Sequence, residues 1–119
     1  MNTNYDTIKR FDLGRIVARA NIVETMTNNS NFEAEVRSSI FRHLLGDYGE
    51  EINNDEHDRE ANNKAIAEGL KYGRVFSRYD LCEGVIYIIT ERHYETEYSE
   101  QSNSLRAKNV TTIFFREDY

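Results

Sequence analysis

The pattern of apolar and polar positions is most regular between residues 31 and 45. Apolar side chains recur there with the period of an α-helix, so one side of that helix is apolar. The stripe consists of Phe32, Val36, Ile40 and Leu44, widened by Phe41 and Leu45. Ser30 followed by Glu33 fits a capping box at the start, and Gly46 suits the positive φ of a helix C-cap. The sequence predicts a helix over residues 31–45.

A second, thinner amphipathic segment follows a turn-rich loop over residues 46–54. The Asp55 carboxylate can accept from the unpaired amides of a helix start. The apolar face beyond it consists of Ala61, Ala65, Ile66 and Leu70. The sequence therefore predicts a second helix that begins near Asp55 and is weakly buried.

The period changes from helical to alternating after Gly73. Residues 74–80 and 85–91 are rich in β-branched and aromatic side chains, and the short segment between them ends in Gly84, which favours a β-hairpin. The near-continuous apolar run of the second segment indicates a central strand. The side chains expected among the most buried are Ile86, Ile88 and Phe41.

Two further strands, over residues 14–20 and 110–115, complete the predicted sheet. The polar stretch 92–109 contains Tyr94 and Tyr98 in alternation with acidic residues, which favours an extended β-arm or loop. We predict a single α+β domain over residues 1–119. It has an antiparallel β-sheet of about four strands with two helices, in the order β-α-α-β-β-β.

The net charge bears on the class of partner, and the cysteine content bears on the redox compartment. The formal net charge is -6, which disfavours direct nucleic-acid binding, since that relies on neutralising phosphates. An acidic domain suits a basic protein surface instead. The single cysteine, Cys82, excludes an internal disulfide and fits a reducing compartment. With neither a signal peptide nor a membrane span in the sequence, we expect a cytoplasmic protein.

His43 and Asp47 are four residues apart, a spacing that would let them act as paired metal ligands on one helix face. Gly46 argues that the helix has already turned. His43 would then lie near the negative helix end, with Asp47 holding the turn. Other residues that could complete a zinc site are His57, His93 and Cys82, but no spacing supports them.

Catalytic signatures are missing from the sequence. There is no phosphate-binding glycine loop or dinucleotide fingerprint, and no motif supplies a base for Cys82, so a surface cysteine is expected. Acid–base catalysis needs a partly buried carboxyl, whereas the carboxylates here fall in the most hydrophilic stretch. The sequence indicates no cofactor and favours a protein that is not an enzyme.

Acidic residues far outnumber the single arginine between positions 47 and 60. This stretch could imitate a phosphate backbone toward a basic groove, or it could serve solubility alone. Tyrosines on the predicted arm are residues of the kind that anchor interfaces. The candidate partner-binding residues are Asp47, Glu50, Glu51, Asp55, Glu56, Tyr94 and Tyr98.

Several short motifs follow one another along the chain in a recognisable order. They are His43 to Gly49, an acidic helix with Asn62 and Ala65, Gly73 and Arg74, Ser77 to Tyr79, Ile88 to Glu91, Thr111 to Ile113, and Glu117 to Tyr119. This order resembles a family of small accessory proteins carried by phages, plasmids and integrated elements, whose members show RHLxGDWG, RxxSxY, WxITE and TTxxxPxxY segments. Tyr48 and Tyr87 stand where tryptophan is usual, the terminal proline is absent, and residues 92–109 lengthen a link that is short in the family.

The resemblance implies a mobile-element setting, in which small acidic proteins counter host defence. An anti-CRISPR protein that binds a Cas9-type effector and blocks nucleic-acid loading or activation is the leading expectation. The alternative is a metal-binding accessory factor or small enzyme of a mobile element that uses His43, Asp47 and Glu91.

Overall fold

The computed structural model describes residues 9–94 and 107–119, and within them the chain forms four α-helices and four β-strands. In chain order the elements are β1 (Arg15–Ala18), α1 (Ala20–Asn28), α2 (Ser30–Leu44), α3 (Glu50–Asn54), α4 (Glu56–Ala67), β2 (Val75–Leu81), β3 (Gly84–Tyr94), β4 (Ala107–Phe115) and a 3-10 turn (Arg116–Asp118). The predicted α+β class is confirmed, and the predicted order holds apart from two additional helices.

The four strands form one sheet in the order β1-β4-β3-β2. β3 pairs antiparallel with both β2 and β4, as predicted. β1 pairs in parallel with β4, Arg15 opposite Val110, so the sheet is mixed rather than wholly antiparallel. The helices connect β1 to the rest of the sheet, and nothing in the local pattern of β1 specified which strand it would join.

The predicted hairpin is present, with Leu81 opposite Gly84 across the turn. Pairing of β3 with β4 continues outward as far as Tyr94 opposite Ala107. The third strand therefore extends as expected, while the rest of the predicted arm, including Tyr98, lies outside the described residues.

The start of α2 differs by one residue from the predicted capping box. Asn29 is the N-cap, and its side-chain oxygen accepts from the amides of Asn31 and Phe32 at 3.0 and 3.1 Å. Ser30 is therefore the first helical residue rather than the cap. A side-chain amide oxygen at this position satisfies unpaired helix donors as well as a hydroxyl does.

The end of α2 is a Schellman motif around Gly46, as the glycine predicted. Gly46 adopts φ 88°. Its amide donates to the His43 carbonyl at 3.3 Å, and the Asp47 amide donates to the Arg42 carbonyl at 2.8 Å. These two bonds satisfy the last helix carbonyls and turn the chain sharply.

The side of α2 that faces the sheet is not the one expected from apolarity alone. The fully buried positions of this helix are Phe32, Val36, Ser39 and His43. Phe41 is 49% exposed, so its predicted burial is wrong, whereas Ile86 and Ile88 are fully buried as predicted. The buried face is rotated from the predicted stripe toward His43, whose ring contacts Ser77 and Thr90 on the strands.

The helix α1 was not predicted because its apolar signal is short. Ile22 is its one fully buried residue. The Thr25 and Thr27 hydroxyls donate back to the Asn21 and Val23 carbonyls, a bond that lowers helix propensity in isolation. Packing of Ile22 in the main core stabilises the helix instead.

The helix α4 begins where the sequence predicted. Asp55 is the N-cap, and its carboxylate accepts from the Asp58 amide at 3.0 Å. Of the predicted loop before it, residues 50–54 form the short helix α3, which buries Ile52. No helix in the described part of the chain is long and apolar enough to cross a membrane.

Candidate functional site

A chain of buried polar side chains links α2 to three strands. The two ring nitrogens of His43 contact hydroxyls on different strands, Nδ1 lying 2.5 Å from Ser77 Oγ and Nε2 lying 2.9 Å from Thr90 Oγ1. Thr90 Oγ1 lies 2.7 Å from Thr111 Oγ1, which donates to the Leu13 carbonyl at 2.7 Å. All four side chains are fully buried. We call this set the histidine network.

The last bond fixes the direction of every other bond in the network, because each hydroxyl has one proton. The Leu13 carbonyl can only accept, so Thr111 donates to it and must accept from Thr90. Thr90 has then used its proton, so it accepts from Nε2–H of His43. Nδ1 of His43 carries no proton and accepts from Ser77. The geometry thus assigns the neutral Nε2–H tautomer.

Burial keeps His43 neutral. Desolvation lowers the pKa of the imidazole from 6.5 to about 3. The ring of Phe11 packs edge-on against it at 5.2 Å between centroids. A general base needs contact with a substrate and a pKa near the working pH, and His43 has neither. The Ser77–His43 pair is therefore a structural contact.

Asp47 holds the turn after α2, which is the role that the sequence suggested as an alternative to metal binding. Its carboxylate accepts from Arg42 Nε at 2.7 Å, from the Asn53 amide at 2.8 Å and from the Gly49 backbone at 3.3 Å. The hydrogen bond from Arg42 is the main reason that the pKa of Asp47 lies below its ordinary value.

The structure does not bring His43, Asp47 and Glu91 together. Both ring nitrogens of His43 are used inside the core, and Asp47 is bound to Arg42. Glu91 follows Thr90 on β3 and therefore points to the opposite side of the sheet. No group of three His, Cys, Asp or Glu side chains among the described residues could hold a metal ion.

The segment that carries the acidic residues is attached to the free edge of β2. The Asn62 side chain donates to the Phe76 carbonyl at 2.8 Å and accepts from the Phe76 amide at 2.9 Å. The Arg78 amide donates to the Tyr48 carbonyl at 3.0 Å. Gly49 lies so close that an added Cβ would be 1.7 Å from the Arg78 carbonyl oxygen. These contacts cover an edge that would otherwise be open to another strand.

The candidate partner-binding acids fall into two groups. Those with structural partners are Asp47, Glu51, which pairs with Arg78 at 2.6 Å, and the N-cap Asp55. Glu50 and Glu56 are exposed and take part in no ion pair among the described residues. These two carboxylates are therefore the best suited to meet a partner.

The remaining sequence candidates contribute less. Tyr94 is the last residue of β3, and neither its side chain nor Tyr98 belongs to the described part of the structure. Cys82 is an exposed free cysteine at the hairpin turn, as expected. Its hydrogen bond to Glu35 raises the pKa of the thiol, which disfavours the reactive thiolate.

Sequence reasoning missed three members of the histidine network, namely Ser77, Thr90 and Thr111. The signal was present, since each is a polar residue at a core-facing position of an alternating strand. Such residues need buried partners.

Comparisons with protein-family models, with curated proteins and with solved structures find no match for this chain.

Proposed function

We propose that this protein is encoded by a mobile genetic element and counters host defence in the bacterial cytoplasm. It inhibits a Cas9-type CRISPR effector by stoichiometric protein–protein contact and blocks nucleic-acid loading. The observation that carries the proposal is a concentration of exposed carboxylates, close together in sequence, on α3 and the first turns of α4. We define this acidic surface by its exposed carboxylates: Glu50, Glu51, Asp55, Glu56 and Glu60.

The charge of this surface matches the proposed target. Effectors of the Cas9 type hold their nucleic acid in a positively charged channel. Carboxylates on two neighbouring helices can enter such a channel in place of phosphates, and their attraction speeds association.

The acidic surface is also held in a defined arrangement. The backbone amide of Tyr48, just before α3, donates to the side-chain oxygen of Asn53, within α3, at 3.0 Å. Asp55 caps α4, and Asn62 fastens that helix to β2. A preordered surface loses less conformational entropy on binding, which supports tight, stoichiometric inhibition.

The histidine network is not accessible to a substrate. His43 and Ser77 form the kind of pair that could activate a nucleophile, but both side chains are fully buried. The proposal therefore assigns them no catalytic role.

Cleavage assays with purified Cas9-type nucleases test the proposal. Wild-type protein is titrated against a fixed effector concentration, and inhibition should be complete near one molecule per effector. The double variant Glu50→Lys/Glu56→Lys reverses two exposed charges without touching a cap or ion pair. Its half-inhibitory concentration should rise roughly tenfold, more at low salt than at high salt.

A matched control separates the acidic surface from net charge. Glu24→Lys/Glu117→Lys reverses two exposed charges elsewhere on the protein, and of these Glu117 pairs with its neighbour Arg116 at 3.8 Å. Both double variants change the formal charge from -6 to -2 (-6 + 4). The control should inhibit within about twofold of wild type, on the basis that distant exposed charges contribute little. Equal weakening by both pairs would contradict the acidic surface as the contact. Failure of the wild type to inhibit any candidate effector would contradict the proposed function.

A further inference from the structure

A cavity of about 360 Å³ lies between the segment before β1, the C-terminal end of α4 and the outer ends of β3 and β4. Its wall has an apolar part formed by Phe11, Ile66 and Leu70 and a polar part that includes Arg10, Arg92 and Asn109. This volume is within the range of small-ligand sites, which combine an apolar lining with a few polar groups. None of these residues belongs to the acidic surface.

Side-chain bonds hold the N-terminal wall of the cavity in place. The Asn109 amide donates to the Asp12 carbonyl at 2.7 Å, and Thr111 of the histidine network donates to the next carbonyl, that of Leu13. Gly14 adopts φ 63°, and an added Cβ would be 1.9 Å from the Asn109 carbonyl oxygen. The wall is therefore ordered without any help from a ligand.

The opposite wall contains a strained residue. Leu70 has φ 61°, and it is the one non-glycine residue with positive φ in the described part of the chain. Its amide donates to the Ala65 carbonyl at 2.8 Å, and its side chain is buried. Non-glycine residues in this conformation are rare and are concentrated at binding sites.

The charged side chains that line the cavity in the described part of the chain are mainly cationic. Arg10 and Arg92 line it, and the one acid among the described lining residues, Asp12, is paired with Lys9 at 2.7 Å. Arg92 donates to the Gly69 carbonyl at 3.3 Å. A guanidinium has five N–H donors, and this bond uses one of them.

We propose that this cavity binds a small phosphomonoester whose organic part is apolar or aromatic. Two guanidiniums match the charge of a phosphate group, which is close to -2 near neutral pH, and they suit its oxygens as hydrogen-bond acceptors. The organic part packs against Phe11, Ile66 and Leu70. The proposal is independent of the inhibitory function, because it uses a different part of the surface.

Titration calorimetry with phenyl phosphate tests the proposal, with inorganic phosphate and benzoate compared at equal ionic strength. Phenyl phosphate should bind at one site, and about tenfold more tightly than either inorganic phosphate or benzoate. Inorganic phosphate lacks the ring that packs on the apolar wall, and benzoate has a single negative charge for the two arginines. Arg10→Gln and Arg92→Gln should each weaken binding about tenfold or more. Arg37→Gln is the matched control, because Arg37 is an exposed arginine of α2, and it should bind like wild type.

Thermal melts of each variant without ligand establish that the fold is intact. If Arg92→Gln is unfolded, the binding affinity of Arg10→Gln alone tests the proposal. Absence of saturable binding overturns the proposal. Binding that both Arg→Gln variants leave within twofold of wild type also overturns it. Equal affinities for phenyl phosphate and inorganic phosphate would show an adventitious anion contact and would overturn the assigned ligand class.

Discussion

The buried imidazole of His43 makes stability depend on pH in a way that one substitution can isolate. The pKa of His43 is about 3 in the folded chain, against 6.5 for an exposed histidine. The unfolded chain therefore binds this proton more tightly. The contribution of His43 to stability is complete above about pH 6.5 and is lost as pH falls toward 3. The comparison variant is His43→Gln, whose amide can accept from Ser77 and donate to Thr90 but does not titrate.

The expected loss follows from the two pKa values. At about pH 5 the unfolded state is stabilised by protonation of the free histidine by about 2 kcal/mol, whereas the folded state gains almost nothing. At about pH 7.5 the corresponding contribution is below about 0.1 kcal/mol. Wild type should thus lose about 2 kcal/mol more than His43→Gln between these conditions.

Urea unfolding followed by circular dichroism at several values between about pH 5 and 7.5 measures this difference. Other titrating groups are the same in both proteins, so their contributions cancel in the subtraction. The carboxylate of Asp47 has a lowered pKa and loses its contribution below this range. A wild-type-minus-variant difference that stays constant within about 0.5 kcal/mol would refute the buried, neutral assignment of His43.

Three further substitutions test the packing around this network by urea unfolding at neutral pH. Ser77→Ala leaves Nδ1 of His43 without a donor and should cost about 1–3 kcal/mol, whereas no loss would mean that this bond is absent. Gly49→Ala should lower the free energy of unfolding by more than about 2 kcal/mol, because the new methyl would overlap the Arg78 carbonyl oxygen and Gly49 adopts φ 92°. A variant as stable as wild type would show that Gly49 does not lie so close to the Arg78 carbonyl. Ile88→Ala should cost about 2–5 kcal/mol as a fully buried core residue, and a loss well below 1 kcal/mol would contradict its central position.

The strands and the main helix were predictable because their signals are local. Alternation in β2 and β3 and the four-residue repeat of α2 each lie within a short stretch of sequence. Gly46 was predictable for the same reason, since a helix C-cap that needs positive φ selects glycine.

The rotation of α2 was not predictable from local pattern. Apolarity favoured burial of Phe41, whereas the structure buries His43. The hydrogen-bond partners that stabilise the buried ring, Ser77 and Thr90, lie 34 and 47 residues further along the chain. Pairing of β1 with β4 depends on long-range contacts in the same way. In the candidate site, the exposure of Glu50 and Glu56 could be predicted from the hydrophilicity of their segment. The ion pairs of Asp47 and Glu51 could not be predicted, because they depend on how the chain folds.

The central functional claim is that the acidic surface takes the place of nucleic acid in the channel of an effector. Competition binding tests this most directly: labelled guide RNA is titrated into a Cas9-type effector at increasing fixed concentrations of the protein. The apparent dissociation constant of the RNA should rise in proportion to the protein concentration, and Glu50→Lys/Glu56→Lys should shift this dependence to roughly tenfold higher concentration. An RNA affinity that stays constant while the protein is bound to the effector would contradict the claim.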